Sequence, residues 1–187
     1  MAASQKKKNV LELHAEAAKR GLEPLLETSS KSEYEAGRRL SAFHLNFMIG
    51  DLKTTVESAF QGSKVFQFGG PFHELYRSES RAAKLDERLQ NSGRLVAFEM
   101  NGRRYPLSPP TAFYDWLYLN ALFPHRDWLK RLSQFDGFTD IEFNPARSIN
   151  CQARACALFV ALESRDQLEL ALRSFEQFVD IHGKAYL

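Results

Sequence analysis

The 187-residue chain carries 25 Lys and Arg against 23 Asp and Glu, and 44% of its residues are hydrophobic. This length predicts a single domain with a substantial core, and a net charge of only +2 excludes the strongly basic surface of a general nucleic-acid coat. No apolar run approaches the roughly 20 residues of a membrane span.

The cysteines and histidines show no pattern of a metal site. Cys151 and Cys156 do not form a C-x-x-C motif, and the five histidines lie at no ligand spacing to one another or to the cysteines. The N-terminus also lacks the hydrophobic stretch of a secretory signal. We therefore expect a cytoplasmic protein with reduced thiols, no metal, no cofactor and no membrane partner.

In the first half of the chain, hydrophobic periodicity and turn residues predict mostly helices. The basic run from Gln5 to Lys8 is typical of a solvated tail, Gly21 ends the helix after it, and Gly50 and Asp51 turn a short strand. The predicted elements are a helix at 10–20, a strand at 44–49, a helix that contains Glu57 and is closed by residues 69–71, and a charged helix at 72–89.

In the second half, the clearest signal is Asn101-Gly102 between two apolar-alternating arms, which predicts a hairpin at 95–107. Ser108 before two prolines resembles a helix N-cap followed by proline in the first turn. The other predicted elements are a helix from there to about 123, a helix at 125–135, a strand at 139–143, and helices at 151–164 and 166–181, the last stopped by Gly183.

This order of elements predicts a predominantly helical α+β domain with a small antiparallel sheet. We expect the domain to span residues 31–187, with residues 1–30 forming an N-terminal tail and helix. Fifteen Phe indicate an aromatic-rich core, and a pocket wall that stacks a base is an alternative use for some of them.

The stretch TTVESAFQGSKVF, residues 54–66, carries the most informative polar pattern. Glu57, Gln61 and Lys64 follow at spacings of four and three, which places them on one face of an α-helix beside an apolar stripe. The pattern suits a site that holds a sugar and stabilises a developing positive charge. Spacing alone is more typical of the solvated edge of an amphipathic helix.

The residue types of this stretch resemble the signature of the NADAR superfamily (YbiA-like proteins), whose helix reads roughly P-S/T-x-E-H-x-F-Q-x-x-K-F. The runs ESAFQGSKVF, GGPF, FYDWLYLNAL, FTDIEFNP and SINCQARA are most similar to the branch that accompanies DarT-type DNA ADP-ribosyltransferases as antitoxins. The resemblance covers about residues 36–165. Its further matches are Leu40-Ser41-Ala42-Phe43-His44 for L-S-N-F-Y, Ala83-Lys84 for an A-K pair, and Asn120-Ala121-Leu122-Phe123 for the helix R-x-A-L-x-x-K-F.

The resemblance implies an N-glycosidase that removes ADP-ribose from a nucleobase, with guanine in DNA as the implied base. Glu57 would then lie beneath the ribose C1′ and stabilise its oxocarbenium character. Lys64 is the second catalytic candidate, as a contact to a ribose hydroxyl or phosphate or as a residue that tunes Glu57. Gln61 would orient either residue, and Arg39 offers a planar fork to the diphosphate.

Further substrate contacts follow from the matches and from three departures. Ala42 replaces the usual Asn of L-S-N-F-Y, the family's Trp is shifted here to Trp116, and Ser148-Ile149-Asn150 stands where the family carries an Asp. Core packing of the aromatic residues and loop geometry of the asparagines are the alternatives. The implied contacts are Ser41 and Phe43, Tyr114 and Trp116 as a pocket wall, and Asn144 and Asn150 in a loop that reads ribose or base edges.

The expected partners are ADP-ribosylated nucleic acid, ADP-ribose and a cognate ADP-ribosyltransferase toxin, which the protein would counter as an antitoxin. Two other functions stay open. One is an N-glycosidase acting on a small ribosylamine metabolite, and the other is a non-catalytic module that binds ADP-ribose or the toxin. Only the enzymatic functions need Glu57 at the anomeric carbon.

Overall fold

A computed structural model describes residues 3–146 and 148–184. The α-helices are α1 (Ala3–Ala18), α2 (Glu35–Leu40), α3 (Val56–Gly62), α4 (Ser80–Lys84), α5 (Arg88–Asn91), α6 (Ala112–Leu122), α7 (Arg126–Leu129), α8 (Gln152–Ser164), α9 (Leu168–Leu172) and α10 (Phe175–Lys184). The strands are β1 (Leu25–Glu27), β2 (Asn46–Ile49), β3 (Leu52–Thr55), β4 (Lys64–Phe66), β5 (Leu95–Met100), β6 (Arg103–Tyr105) and β7 (Gly137–Thr139). Short 3₁₀ helices lie at His73–Arg77, Phe123–His125 and Lys130–Gln134.

The strands are arranged in small sheets. β4, β5 and β6 form an antiparallel sheet, and β2 pairs antiparallel with β3. The predicted α+β class is therefore confirmed, but β1 and β7 add a parallel pair that the sequence analysis does not predict. β1 and β3 have only three and four residues, too short for a clear period. None of the described helices is long and apolar enough to cross a membrane.

The predicted domain boundary near residue 30 stays a prediction. The pairing of β1 with β7 crosses it, because β1 lies before residue 30 and β7 lies after it. β1 lies in the N-terminal segment, and its Leu26 is opposite Phe138 of β7. The basic run expected to be a solvated tail belongs to α1, where Lys6 forms an ion pair with Glu142 at 2.9 Å. His14 Nε2 also lies 2.8 Å from Thr139 Oγ1. These contacts join α1 to the end of β7 and the turn after it.

The predicted hairpin is confirmed as β5 and β6, with Met100 opposite Arg103. Asn101 and Gly102 between them have φ values of 53° and 72°. Two successive left-handed residues give the turn a twist that matches the right-handed twist of the flanking strands. The sequence therefore identified this turn correctly from two residues.

The centre of the core is α6, which is buried on almost all sides and packs against α3, α8 and α10. Phe113 stacks on Phe98 of β5 with ring centroids 4.5 Å apart. Phe60 of α3 packs edge-on against Tyr114, with centroids 5.1 Å apart. Such ring pairs bury large apolar areas and prefer defined geometries, so they fix α3 against α6.

A charged cluster lies inside this core at the start of α6. Asp115 is fully buried, and its Oδ2 accepts a hydrogen bond from Thr111 Oγ1 at 2.8 Å. Arg154 of α8 donates to the same carboxylate, and His182 Nε2 of α10 lies 3.1 Å away. A buried carboxylate is tolerated where it is paired and hydrogen-bonded in this way. The cluster therefore ties α6, α8 and α10 together.

The helix that contains Glu57 is shorter than predicted. It ends at Gly62, and Lys64 is the first residue of β4, where it lies opposite Phe98 of β5. Gly62 packs so close to Tyr76 that a Cβ at this position would lie 2.6 Å from the ring. The prediction that Lys64 lies on the helix is therefore wrong, because pairing with β5 replaces the last helical turn.

Other predicted helices are divided or begin later. The charged helix at 72–89 is broken at Ser78, whose carbonyl accepts a hydrogen bond from Ser58 Oγ at 2.9 Å instead of a helical N–H. The segments at 125–135 and 166–181 are also divided, whereas the helix at 151–164 is confirmed as α8 to within one residue. α6 begins at Ala112 rather than after Ser108, since Pro110 disfavours helical backbone in the residue before it.

Candidate active site

Glu57 lies in the first turn of α3, directly after β3. Thr55 is the N-cap, and its Oγ1 accepts a hydrogen bond from Ser58 N at 3.2 Å. The N–H of Glu57 donates to the carbonyl of Ala42 at 2.9 Å. These bonds satisfy backbone groups that a helix leaves unpaired at its N-terminus. The backbone of Glu57 is therefore held at the positive end of the helix dipole.

The carboxylate of Glu57 is buried, with only 5% of the residue exposed. Gln61, one turn further along α3, donates from Nε2 to Glu57 Oε1 at 2.9 Å. The ammonium group of Lys84 lies 3.7 Å from the same oxygen, and half of the Lys84 side chain is exposed. Lys84 therefore reaches the buried carboxylate from its solvent side.

Lys64 joins this group from the start of β4. Its ammonium group lies 4.9 Å from the centroid of the Phe60 ring. Burial lowers the pKa of Lys64 to about 8, the negative charge of Glu57 opposes this change, and the positive charge of Lys84 adds to it. A strongly perturbed pKa within a charged cluster is typical of functional sites. We call Glu57, Gln61, Lys64 and Lys84 together the Glu57 site.

Lys64→Met is expected to stabilise the fold at neutral pH. The pKa of Lys64 is about 8 in the fold against an ordinary 10.5, so below about pH 8 the fold carries the cost of a desolvated ammonium group. We expect a gain of about 2 kcal/mol in the free energy of unfolding, after loss of the ring contact. From pH 8 to 10.5 the unfolded chain binds a proton that the folded chain does not, so wild-type stability rises and the gain shrinks.

Urea unfolding of both proteins at about pH 7 and about pH 10 measures this change. Lys53→Met is the control, because Lys53 is an exposed residue of the neighbouring β3. A difference between Lys64→Met and the wild type that stays constant over this range would contradict the lowered pKa.

Aromatic side chains border the Glu57 site. The Lys84 ammonium group lies 5.0 Å from the ring centroid of Phe43, and Phe43 N donates to Ser41 Oγ at 3.4 Å in a partly buried turn. Burial, with a smaller contribution from Glu57, raises the pKa of Tyr114 well above its usual value, so its hydroxyl is neutral. Phe43 thus lies beside Lys84, Tyr114 packs against Phe60 of α3, and Ser41 shapes the turn that precedes the site.

Lys84 is the site residue that the sequence analysis did not select. Ser80, at the start of α4, donates to the Phe43 carbonyl at 2.9 Å, and its Oγ lies 2.7 Å from Thr55 Oγ1. These bonds hold α4 against the N-terminus of α3, which brings Lys84 in the last turn of α4 to Glu57. The signal that points to it in the sequence is the Ala83-Lys84 match to the family.

Two predicted contacts lie in other surroundings. Arg39 has an exposed side chain that pairs with Glu35 at 2.6 Å and lies 5.9 Å from the ring centroid of Trp128. Trp116 packs among core rings, 5.6 Å from Tyr105 by ring centroids. Core packing, the alternative given for Trp116, accounts for this position, and the roles of both residues in binding stay predictions.

The two asparagines lie in the loop between β7 and α8. Asn144 is exposed, and its Oδ1 accepts a hydrogen bond from Ala146 N at 3.0 Å. Asn150 N donates to Ser148 Oγ at 3.1 Å. These are local turn contacts of the kind that asparagine and serine commonly make. Reading of ribose or base edges by this loop stays a prediction.

The Glu57 site combines a buried carboxylate and an amide with two amines. A carboxylate away from bulk water interacts strongly with positive charge, because the effective dielectric constant is low. Ammonium groups donate hydrogen bonds to phosphate and hydroxyl oxygens. The site therefore suits a ligand that has both anionic groups and an electron-poor carbon. Within residues 3–146 and 148–184, no three His, Cys, Asp or Glu side chains are grouped to hold a metal ion.

Comparison with known families supports the resemblance read from the sequence. The family model for DarT1-associated NADAR antitoxins matches residues 1–187. A search of curated proteins gives no match. An antitoxin of this kind implies a cognate DarT-type ADP-ribosyltransferase toxin as its partner. Because the match covers the whole chain, this protein belongs to the family of DarT1-associated NADAR antitoxins.

Proposed function

We propose that this antitoxin is an ADP-ribosyl hydrolase, an N-glycosidase that removes ADP-ribose from a nucleobase, guanine in DNA, and so reverses the modification made by its toxin. The observation that carries the proposal is the buried Glu57 carboxylate, which accepts a hydrogen bond from Gln61. Membership of the family supports the antitoxin role. The base and the nucleic acid rest on the resemblance.

In this mechanism, Glu57 faces C1′ of the distal ribose. As the bond between C1′ and the base nitrogen breaks, C1′ acquires oxocarbenium character that the carboxylate stabilises. Water adds to C1′, and the proton that the water loses ends on the departing nitrogen. The products are free ADP-ribose and an unmodified base within its nucleic acid. Gln61 keeps the carboxylate oriented through its 2.9 Å hydrogen bond.

The two lysines have separate tasks in the proposal. Lys84 is half exposed beside the carboxylate, so it binds a diphosphate oxygen of the incoming ADP-ribose. Lys64 is more deeply placed, and it contacts a ribose hydroxyl next to the reacting carbon. The other substrate contacts in the proposal are Arg39, Ser41, Phe43, Tyr114, Trp116, Asn144 and Asn150.

The test is incubation with an oligodeoxynucleotide that carries ADP-ribosylated guanine, followed by mass analysis of both products. We expect free ADP-ribose and an oligonucleotide of unmodified mass. AMP together with a ribose-phosphate remnant on the base would show cleavage of the diphosphate and overturn the proposal. Absence of any product, together with calorimetric binding of ADP-ribose, would favour the non-catalytic module. Turnover of a ribosylamine metabolite alone would favour the metabolic N-glycosidase.

Activity is expected to survive exhaustive treatment with EDTA. The reason is chemical: a single carboxylate can stabilise an oxocarbenium-like centre without a metal ion, whereas diphosphate cleavage commonly recruits a divalent cation. Initial rates of ADP-ribose release before and after chelation measure the effect, with mock-treated protein as the control. Inactivation that one divalent metal specifically reverses would contradict the prediction.

A further inference from the structure

Gln152, the first residue of α8, is a buried side chain that joins two separate parts of the molecule. Its Oε1 accepts a hydrogen bond from the Ala42 N–H at 2.5 Å, and its Nε2 donates to Asp140 Oδ2 at 3.1 Å. The backbone N–H of Gln152 donates to the same oxygen at 3.2 Å. Because a carboxylate only accepts and a backbone N–H only donates, the amide group has one possible orientation.

The Ala42 peptide carries this connection to Glu57. Ala42 is 1% exposed, and its carbonyl accepts the N–H of Glu57 at 2.9 Å. Asp140 is therefore linked to the first turn of α3 by hydrogen bonds to Gln152 and from Gln152 to the Ala42 N–H, then through the Ala42 backbone to its carbonyl and the Glu57 N–H. Phe43, whose ring contacts Lys84, follows Ala42 directly in the chain. A shift of the Ala42 peptide would consequently move two parts of the Glu57 site at once.

The far end of this connection is also fixed. Asp140 follows β7, and its Oδ1 accepts the N–H of Glu142 at 3.1 Å. β7 is paired with β1, so the carboxylate is attached to a sheet rather than to a free loop. Asp140 therefore holds the Gln152 side chain from a position that the sheet and the turn after it both fix.

We propose that Gln152, held by Asp140, is a positioning residue for the Glu57 carboxylate. This inference rests on the proposed function, because it assigns Gln152 a task in the same reaction. A catalytic carboxylate must be held to within a fraction of an ångström of its productive position, and supporting hydrogen bonds provide this precision. Gln152 does not touch the substrate. It holds the backbone of Ala42, whose carbonyl accepts the hydrogen bond from the Glu57 N–H.

The first test is Gln152→Met, which keeps the approximate volume of the side chain and removes both hydrogen-bonding groups. We expect kcat per folded molecule to fall by about 10- to 100-fold with little change in KM, since orientation rather than binding is lost. Asp115→Asn is the control. Asp115 is also buried and hydrogen-bonded, but its partners Thr111, Arg154 and His182 lie outside the connection, so this substitution should leave kcat per folded molecule unchanged.

A second readout does not depend on turnover. Amide hydrogen exchange at Ala42 and Glu57 is expected to quicken by at least about 10-fold in Gln152→Met, with no such change in Asp115→Asn. A conservative pair tests the anchor: Asp140→Asn keeps an oxygen for Gln152 and is expected to retain more of kcat than Asp140→Leu. If Gln152→Met does not fold, the comparison of the two Asp140 variants tests the positioning role instead.

The outcomes separate the two proposals. A wild-type protein that releases no ADP-ribose from the modified oligonucleotide overturns the proposed function and the positioning role with it. An active wild type whose Gln152→Met variant keeps its kcat and its slow exchange at Ala42 overturns the positioning role alone. Equal losses in Asp140→Asn and Asp140→Leu would also overturn it, since the retained oxygen would then have no effect.

Discussion

Glu57→Gln is expected to bind ADP-ribosylated substrate as the wild type does and to hydrolyse it at least about 100-fold more slowly. The substitution keeps the shape of the side chain. It also keeps an oxygen that can accept the hydrogen bond from Gln61 Nε2, which is 2.9 Å long in the wild type. It removes the negative charge that stabilises C1′ in the transition state. The loss should therefore appear in kcat, with KM nearly unchanged. Single-turnover release of ADP-ribose from a modified oligonucleotide measures it.

Asp115→Asn is the matched control for this experiment. Asp115 is another buried carboxylate, but its partners are Arg154 and His182 in the core and not the residues of the Glu57 site. We expect Asp115→Asn to lose stability and to keep its turnover per folded molecule. Near wild-type turnover in Glu57→Gln would remove Glu57 from the catalytic role, whereas a similar loss in both variants would indicate a general effect of lost buried charge.

Asp115→Ala is expected to lower the free energy of unfolding by about 3 to 5 kcal/mol, which for a domain of this size lowers Tm by roughly 10 °C. Asp115 is fully buried, and its Oδ2 is shared by Thr111, Arg154 and His182. Truncation removes the acceptor that these three side chains share and leaves a cavity in the core. Removing one partner from a buried polar cluster costs more than the cluster itself contributes, because the polar groups that remain stay largely desolvated.

Thermal and urea unfolding of Asp115→Ala and Asp127→Ala test this expectation. Asp127 also pairs with a cation, since Lys130 lies 2.7 Å away, but 89% of its side chain is exposed. Exposed pairs contribute little, so Asp127→Ala should leave the unfolding midpoint unchanged. Equal destabilisation by the two substitutions would show that the contribution of Asp115 to the free energy of unfolding does not depend on its burial.

The local parts of the fold could be predicted from the sequence. Asn101-Gly102 predicted the turn between β5 and β6, because its conformation is decided by the two residues themselves. The helix predicted at 151–164 is α8 to within one residue. The contact between Glu57 and Gln61 is also a local feature that the sequence predicts. Their spacing of four places them in contact on any helix, and their hydrogen bond is 2.9 Å long.

The position of Lys64 shows where local patterns stop being informative. Its spacing from Gln61 indicated a third member of one helical face, yet the chain leaves the helix at Gly62 and pairs with β5. Lys64 still reaches Phe60 and the charge of Glu57, but by way of a strand. Pairing between β4 and β5 joins residues 29 to 34 positions apart, and no short window contains that information.

By itself, the sequence determined the class of the fold, the hairpin, the family resemblance and the pair of Glu57 with Gln61, because each depends on neighbouring residues or on a contiguous motif. Only the tertiary structure brought Lys84 to the carboxylate, placed Trp116 in the core and linked Gln152 to the Ala42 peptide. These contacts join distant segments, and packing of α3, α4, α6 and α8 decides them. Their free energy comes from burial and hydrogen bonding across the molecule, which local periodicity does not report.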